Sequence, residues 1–445
     1  MLHLPQSVGT ALELLEAQGH AAYAVGGCVR DSLLGRTPKD WDVATSALPH
    51  QVLEVFSAYR TLETGLQHGT VTVILDQMPI EITTFRVDGP YLDSRHPQAV
   101  AFTHSLRADL SRRDFTVNAM AYHPKEGLVD YFGGAQDLER QLIRCVGNPK
   151  DRFEEDALRI ARALRFSAVL GFSIEPATGA ALRGQAPRLR HIAVERIQTE
   201  LVKLLCAPDP VEVLLEYSPV LGQIIPELLP TMGFEQNNDH HIYPVYEHMV
   251  RSVPHVPPQP HLRLAMFLHD IGKPECYTVD ERGIGHFYGH MEVGERIVHR
   301  ILTRLRVDGD TLRRVCLLIR HHDVRIPPDR RTLRRWVNRI GMQALKDLLA
   351  IKAGDCMAQN PSRRGRLKEL ETLGGILAQI EAQGLCCTRA QLAINGNDLA
   401  ALGLPPGRET GRVLGLLLDE VIAEALPNQR EALLQRATKL ISKPV

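Results

Sequence analysis

The spacing of apolar and polar positions changes once along this chain. Up to about residue 145, short apolar runs alternate with polar residues and predict strands at 21–25, 42–44, 70–75, 80–85 and 99–102. Residues 12–16 and 49–56 carry helical spacing between them. The stretch 86–107 is rich in Pro, Gly, Asp and Arg and reads as a loop. Beyond about Asp151 strand patterns nearly vanish, and 156–170 and 193–206 predict amphipathic helices. A Pro-, Asn- and His-rich stretch at 226–244 marks a further boundary. The pattern predicts an α+β head at 1–145 and a helical neck at 146–225. A helical module holding most of the histidines follows at 226–362, then a helical tail at 363–445.

Composition narrows the class. A chain of 445 residues, 44% apolar and 23% charged, is long enough for several folded cores. Lys plus Arg equals Asp plus Glu, at 52 each, so a nucleic-acid partner would have to be met by local basic clusters. The eight cysteines are scattered without a C-x-x-C pair, which favours reduced thiols over a disulfide framework. No segment is long and apolar enough to span a bilayer and no secretory leader is evident, so a cytoplasmic location without membrane contact is expected.

The densest chemistry lies at 25–45. Gly26-Gly27 follows an apolar run, a short helix carries Arg30 and Asp31, and Asp40 and Asp42 stand one residue apart before Val43. Residues i and i+2 of a strand share a side, so Asp40 and Asp42 can offer two carboxylates to one point. Mg²⁺ binds through such oxygens, usually together with substrate phosphates. A Gly-Gly turn lets backbone amides approach a phosphate closely. Glu81, on a neighbouring predicted strand, is a candidate third carboxylate. A lone D-x-D is commonly a solvated loop; the glycine pair upstream is what points to nucleotidyl transfer.

Two further groups follow. Arg112-Arg113-Asp114 precedes an apolar run with Asn118. An arginine fork suits phosphate or ribose, and a surface salt-bridge patch fits equally well. Asp156, Arg159 and Arg162 fall at i, i+3 and i+6 of the predicted helix. Such a face can address the Watson–Crick edge of a base, and the same spacing fits an exposed intrahelical salt bridge.

Taken in order, Val25-Gly26-Gly27-x-Val29-Arg30-Asp31, Asp40-x-Asp42, Arg112-Arg113-Asp114-Phe115-Thr116-x-Asn118-Ala119, Glu155-Asp156-x-x-Arg159 and Glu195-Arg196-x-x-x-Glu200-Leu201 resemble the class II tRNA nucleotidyltransferases, the CCA-adding enzymes. Bacterial poly(A) polymerases share the same head. The resemblance spans essentially the whole chain. It implies a DNA-polymerase-beta-like head followed by helical neck, body and tail. It also implies Mg²⁺ at Asp40 and Asp42, and triphosphate binding by Gly26, Gly27 and Arg30. Arg112, Arg113, Asp114 and Asn118 would line the ribose and primer side. Asp156 and Arg159 would select CTP and then ATP, with Arg162 and Arg165 in support. The segment 86–109 would help switch specificity, and 195–201 would stabilise the neck.

A second set of residues is separate. His248, the adjacent His269-Asp270, His290, His321 or His322 with Asp323, and Asp355 are spread over about 110 residues. Imidazole and carboxylate suit Mg, Mn, Fe, Ni or Zn. This order resembles the HD phosphohydrolase superfamily, with His248, His269, Asp270 and Asp355 matching its metal shell and His290 and His321 its extra histidines. In this setting the resemblance implies a phosphatase or 2′,3′-cyclic phosphodiesterase acting at tRNA 3′ ends. A metal-free HD scaffold is the alternative.

The expected partners are ATP, CTP and the tRNA acceptor arm. Candidate phosphate contacts are Arg183, Arg188, Arg190 and Arg196, then Arg330, Arg331, Arg334, Arg335 and Arg339 around Trp336, though each also fits a solvated helix face. The tail at 395–409 resembles the family's tRNA-binding tail. Two readings compete with full CCA addition. One is an A-adding, CC-adding or poly(A)-adding relative. The other is an HD phosphohydrolase or nucleotide sensor with a non-catalytic RNA-binding head. The sequence leaves the oligomeric state open.

Overall fold

In the computed structural model, which describes residues 2–63, 65–88 and 100–442, the chain forms two compact units, 1–229 and 230–445. The expected divisions at 145/146 and 362/363 fall inside these units. Each unit has its own site. Part of the 86–109 segment expected to switch specificity, 89–99, lies outside the described residues.

The first unit is built on a seven-stranded sheet. Its strands are β1 (Ala22–Val25), β2 (Trp41–Thr45), β3 (Arg60–Leu62), β4 (Thr70–Leu75), β5 (Met78–Thr84), β6 (Met120–His123) and β7 (Gly127–Asp130). They lie in the order β3-β4-β5-β2-β1-β6-β7, antiparallel except for the parallel pair β2–β5. Alternation is clean on β4, where Val71, Val73 and Leu75 are buried. On β5 the buried residues are Ile80, Ile82 and Thr84. The sequence pattern missed β3, β6 and β7. All four residues of β6 are buried, so this inner strand has no alternation to read.

Helices α1 (Gln6–Ala17), α2 (Gly27–Leu33) and α3 (Pro49–Val55) flank the sheet, and α4 (Leu106–Ser111) lies further along the chain. Leu106 and Leu110 of α4 pack with Val25, Ala44, Phe85 and Ala121. The predicted helix at 156–170 is α6 (Leu158–Leu170); α5 (Pro149–Glu155) precedes it, and Asp156 is extended between the two at φ −141° and ψ 103°. Helix α7 (Val194–Leu205) packs along α6.

The second unit is helical, and its core element is α9 (Pro260–Leu268), in which His261 to Leu268 are all buried. Helices α8 (Val245–Ser252), α11 (Gly309–His321) and α13 (Met342–Ala358) pack around it, and α10 (His290–Arg304) lies on α11. Helix α12 (Arg330–Ile340) joins the C-terminal part through Arg334, whose guanidinium donates to the Cys386 and Ile422 carbonyls. Arg334 is 3% exposed, which removes it from the candidate RNA contacts. Farther on, α14 (Arg366–Ala382), α15 (Arg408–Ile422) and α16 (Arg430–Ile441) complete the unit. A separate core there includes Leu399, Leu417, Ile422 and Leu433.

All eight cysteines are free thiols, consistent with the sequence expectation. Among the described residues no helix is long and apolar enough to cross a membrane.

One close approach fixes the loop after α9. A Cβ on Gly272 would lie 2.4 Å from the His290 carbonyl oxygen and 2.5 Å from the Gly294 nitrogen. Both neighbours are backbone, so neither can move aside cheaply. Gly272→Ala is therefore expected to lower the unfolding free energy by about 2 kcal/mol. Urea denaturation checks this; unchanged stability would show that the loop is not held so tightly.

Candidate active sites

In the first unit, the β2–β5 register sets Asp42 directly opposite Glu81. Paired positions on adjacent strands face the same side, so the two carboxyls point together. Asp40, just before β2, is near enough for its charge to act on Asp42. Burial, Glu81 and Asp40 push the Asp42 carboxyl up to about 6, against the opposing pull of Arg113. Asp42 and Glu81, with Asp40 near by, offer hard oxygens of the kind a divalent cation takes.

The turn beside them is set by Gly26, at φ 78°. A Cβ there would meet Arg113 Nη1 at 2.7 Å and displace that guanidinium, and the positive φ itself favours glycine. Arg30, on α2, donates through Nη1 to Asn118 Oδ1 at 2.6 Å and through Nε to Asp31 at 2.8 Å. Asp109, fully buried, receives Arg112 at 2.8 Å and Arg113 at 3.4 Å.

Asp114 ties this floor to the helices that follow. Its Oδ1 accepts from the Phe115 N–H at 2.8 Å and from Asn118 Nδ2 at 3.2 Å. Its Oδ2 pairs with Arg162 at 2.7 Å. Burial pushes the Asp114 carboxyl up, but Arg162 and these donors outweigh it and hold it below its ordinary value. Arg165 Nε lies 2.6 Å from Glu200 Oε2 on α7, and Arg162 is 4.0 Å from the same carboxylate. Arg30, Arg162 and Arg165 all lie over the Phe166 ring.

Asp156 and Arg159 do not share a helix face, because Asp156 is off the helix. Asp156 Oδ1 accepts from the Leu158 N–H at 2.9 Å, and Oδ2 pairs with Arg196 at 2.8 Å. Arg159 donates to the Arg112 carbonyl at 2.9 Å and the Arg152 carbonyl at 3.1 Å, and pairs with Glu155. Both side chains already have partners, so contact with a base requires exchange of those partners.

The second site gathers side chains from five helices or their ends, α8, α9, α10, α11 and α13. His269 Nδ1 faces the Met266 carbonyl oxygen at 2.8 Å, His290 Nδ1 that of Phe287 at 2.8 Å, and His322 Nδ1 that of Ile319 at 2.7 Å. A carbonyl can only accept, so each ring carries its proton on Nδ1 and turns Nε2 inward. The inward nitrogens converge: His269 Nε2 is 3.3 Å from His248 Nε2, and His290 Nε2 is 3.2 Å from His322 Nε2. Asp270 and Asp355 sit among them, with His248 Nε2 2.9 Å from Asp355 and His322 Nε2 3.4 Å from Asp270.

Lone pairs and carboxylates aimed at each other need a cation between them, and imidazoles oriented by backbone carbonyls are how proteins prepare metal ligands. Burial pushes His269 down, yet Asp270 and Asp355 pull it up to about 10, because a proton answers the same demand for positive charge. The donor atoms form three overlapping groups, His241-His248-Asp270, His248-His269-Asp355 and Asp270-His290-His322.

His322, rather than His321, enters this cluster. Helix α11 ends at this point, and His321 turns its ring edge-on to Trp336. The sequence reading also missed His241, whose only signal was its place in a His-rich loop. Burial and the Lys273 ammonium push His241 down to about 2. Its Nε2 lies 3.2 Å from Lys273 Nζ, which pairs with Asp270 at 2.6 Å.

The helices carrying these groups are pinned upstream. His261, Arg314 and Asp347 each stand eight residues before a cluster residue, namely His269, His322 and Asp355. Asp347 Oδ2 meets His261 Nε2 at 3.0 Å and Arg314 Nη2 at 2.9 Å. One shared contact, buried at His261 and Asp347, thus sets the register of α9, α11 and α13 about 12 Å ahead of the site. At the near end, Lys352 Nζ donates to the His322 and Val324 carbonyls at 2.6 Å.

Comparison with known proteins accords with this geometry. The poly A polymerase head domain matches residues 22–144, and the probable RNA- and SrmB-binding region of polymerase A matches 171–232. The tRNA nucleotidyltransferase domain 2 matches 279–437. A CCA-adding enzyme of Levilactobacillus brevis is 32% identical over 440 residues, covering 98% of this chain and 99% of the relative. The chain belongs to the CCA-adding enzymes.

Within this family, identity to a Geobacillus thermodenitrificans relative rises to 49% over 200 residues, 45% of this chain and 49% of that one. The solved CCA-adding enzyme of Bacillus stearothermophilus in complex with CTP superposes with a TM-score of 0.74 at 28% identity, over 98% of this chain and 97% of that one. The Thermotoga maritima CCA-adding enzyme complexed with tRNA shares the fold, with a TM-score of 0.59 at 20% identity, over 97% and 94% of the two chains.

The two neighbouring histidines give a direct check on the cluster. His322→Ala is expected to weaken Mn²⁺ binding to the second site about tenfold or more, and His321→Ala to leave it within about twofold. Metal titration of each variant measures this; equal effects would contradict the assignment.

Proposed function

We propose that this CCA-adding enzyme carries out the full addition of C, C and A to the 3′ end of tRNA from CTP and ATP, without a nucleic-acid template. The observation that carries this reading is the Asp40–Asp42–Glu81 cluster beside the Gly26–Gly27 turn, in a chain similar from end to end to CCA-adding enzymes. Mg²⁺, held by Asp40 and Asp42 with Glu81 beside them, would neutralise charge on the triphosphate and lower the pKa of the attacking hydroxyl.

The chain's own residues do the rest. The Gly26–Gly27 backbone and Arg30 orient the triphosphate so that the tRNA 3′-oxygen can attack the α-phosphorus while pyrophosphate leaves. Arg112 and Arg113, held by Asp109, border the ribose and primer. Asp114 and Asn118 hold Arg30 and Arg162 in place from the same floor. Asp156 and Arg159 select the base after exchanging their present partners, with Arg162 and Arg165 fixed behind them by Glu200. The tRNA acceptor arm is the partner macromolecule.

The extension assay separates this reading from its nearest relatives. Purified protein is expected to extend a tRNA lacking all three terminal nucleotides with C, C and A. Incorporation of A alone, onto a tRNA already ending in CC, would instead indicate an A-adding enzyme. Asp42→Ala is expected to cut transfer at least about 1000-fold, since metal-assisted charge stabilisation supplies most of the rate. Unchanged transfer would refute the assignment.

A second activity is supported by the inward-facing imidazoles. We infer that His248, His269, Asp270 and Asp355, with His290 and His322, hold a divalent metal of the Mg, Mn, Ni, Fe or Zn group. This site would hydrolyse phosphate esters or 2′,3′-cyclic phosphates. Asp270→Ala is expected to abolish metal-dependent phosphate release from a 2′-nucleotide. Release that persists in this variant, or in metal-free protein, would contradict it.

A further inference from the structure

The histidine–aspartate cluster opens into a cavity of about 430 Å³, within the size range of small-molecule sites. Two features of its wall are not used by metal binding. The first is cationic: Lys273 and Arg366 both line the cavity. The second is aromatic. A hairpin of β8 (Thr278–Val279) and β9 (Gly285–His286) runs into Phe287, Tyr288 and Gly289, and then into His290 of the cluster.

Tyr288 lines the cavity yet is 78% exposed, by far the most exposed large apolar side chain among those described. Its ring is stacked on His286, with centroids 5.4 Å apart and planes 10° from parallel. His286 is itself held by Asp280 at 3.0 Å, and Asp280 also accepts from the Arg282 and Ile284 N–H groups. The hairpin is anchored to the preceding loop by the Gly285 N–H to the Asn237 carbonyl at 2.8 Å. A Cβ on Gly285 would lie 2.3 Å from the Gln236 carbonyl oxygen, so the strand is pressed against that loop.

The second face of the Tyr288 ring is therefore open, flat and preorganised beside a metal cavity. Only Gly289 separates Tyr288 from His290, so their backbones are at most about 7 Å apart. The ring and the cluster line one cavity, so one nucleotide can present its base to the first and its phosphate to the second.

We propose that Tyr288, backed by His286, is a base-stacking platform that makes this cavity selective for nucleotides over other phosphate esters. The phosphate lies on the His/Asp cluster near Lys273 and Arg366, and the base covers Tyr288. Stacking on an aromatic ring tolerates any base, which suits a site that meets different 3′-terminal nucleotides. The proposal rests on the hydrolytic reading of the cluster.

The test compares two substrates that differ only in the base. These are adenosine 2′,3′-cyclic phosphate and methyl β-riboside 2′,3′-cyclic phosphate, given to the Mn²⁺-loaded full chain. The wild type is expected to favour the adenosine substrate in kcat/KM by about 5- to 100-fold. Tyr288→Ala is expected to erase that preference while leaving the riboside rate and the Mn²⁺ content unchanged; Tyr288→Phe is expected to retain it. Calorimetric titration with adenosine 2′-phosphate should show the same loss of affinity in Tyr288→Ala alone. A Tyr288→Ala variant that keeps the preference, or loses both substrates equally, overturns the platform. Hydrolysis of neither substrate by the wild type overturns the hydrolytic reading, and the platform with it.

Discussion

Gathering like charges in a partly buried place is unfavourable until a cation joins them, and both sites of this chain are built on that constraint. In the first unit, Asp42 is half-buried opposite Glu81 and near Asp40, and its carboxyl is pushed up to about 6. In the second, imidazole lone pairs face one another and two buried carboxylates across about 3 Å. Neither arrangement would survive on contact energy alone. Each is held by what surrounds it: the β2–β5 ladder in one case, and helices pinned by His261, Arg314 and Asp347 in the other. The fold thus stores an unmet demand for positive charge, which a metal can satisfy.

The arginines of the first unit show the opposite device. Asp109, Asp114 and Glu200 are buried acids whose role is to hold guanidinium groups in place. A triphosphate meeting Arg30 or Arg113 finds them already ordered, so little freedom is lost on binding. The chain of contacts from Asp114 through Arg162 to Glu200 ties the strand floor to α6 and α7. The part this gives to 195–201 is structural: Glu200 holds Arg162 and Arg165, and Arg196 holds Asp156.

Much of this was legible in the sequence. Strands with one exposed face, such as β4, announced themselves by alternation, and the glycine pair with Asp40 and Asp42 marked the first site. Inner strand β6 was missed because burial on both sides erases the period. That Asp156 stands just outside α6 was hidden because its spacing to Arg159 and Arg162 fits a helix face. Which of two adjacent histidines joins a cluster depends on the helix end at His321, a question of about 100° of rotation that sequence cannot resolve. His241 was invisible for a related reason: it arrives from a loop without periodicity. The one buried arginine in a run of basic residues, Arg334, likewise differs from its neighbours only in which way α12 faces.

The central claim, that the first site carries a charge surplus awaiting its metal, is most directly tested by thermal unfolding of wild type and Asp42→Asn. A carboxyl raised in the folded state contributes stability that is full below its unfolded value and lost as pH rises through about 6. At pH 8 without metal, Asp42→Asn should therefore melt at a higher temperature than wild type, and Mg²⁺ should stabilise wild type more than the variant. A variant that melts lower without metal and gains as much from Mg²⁺ as the wild type would contradict the account.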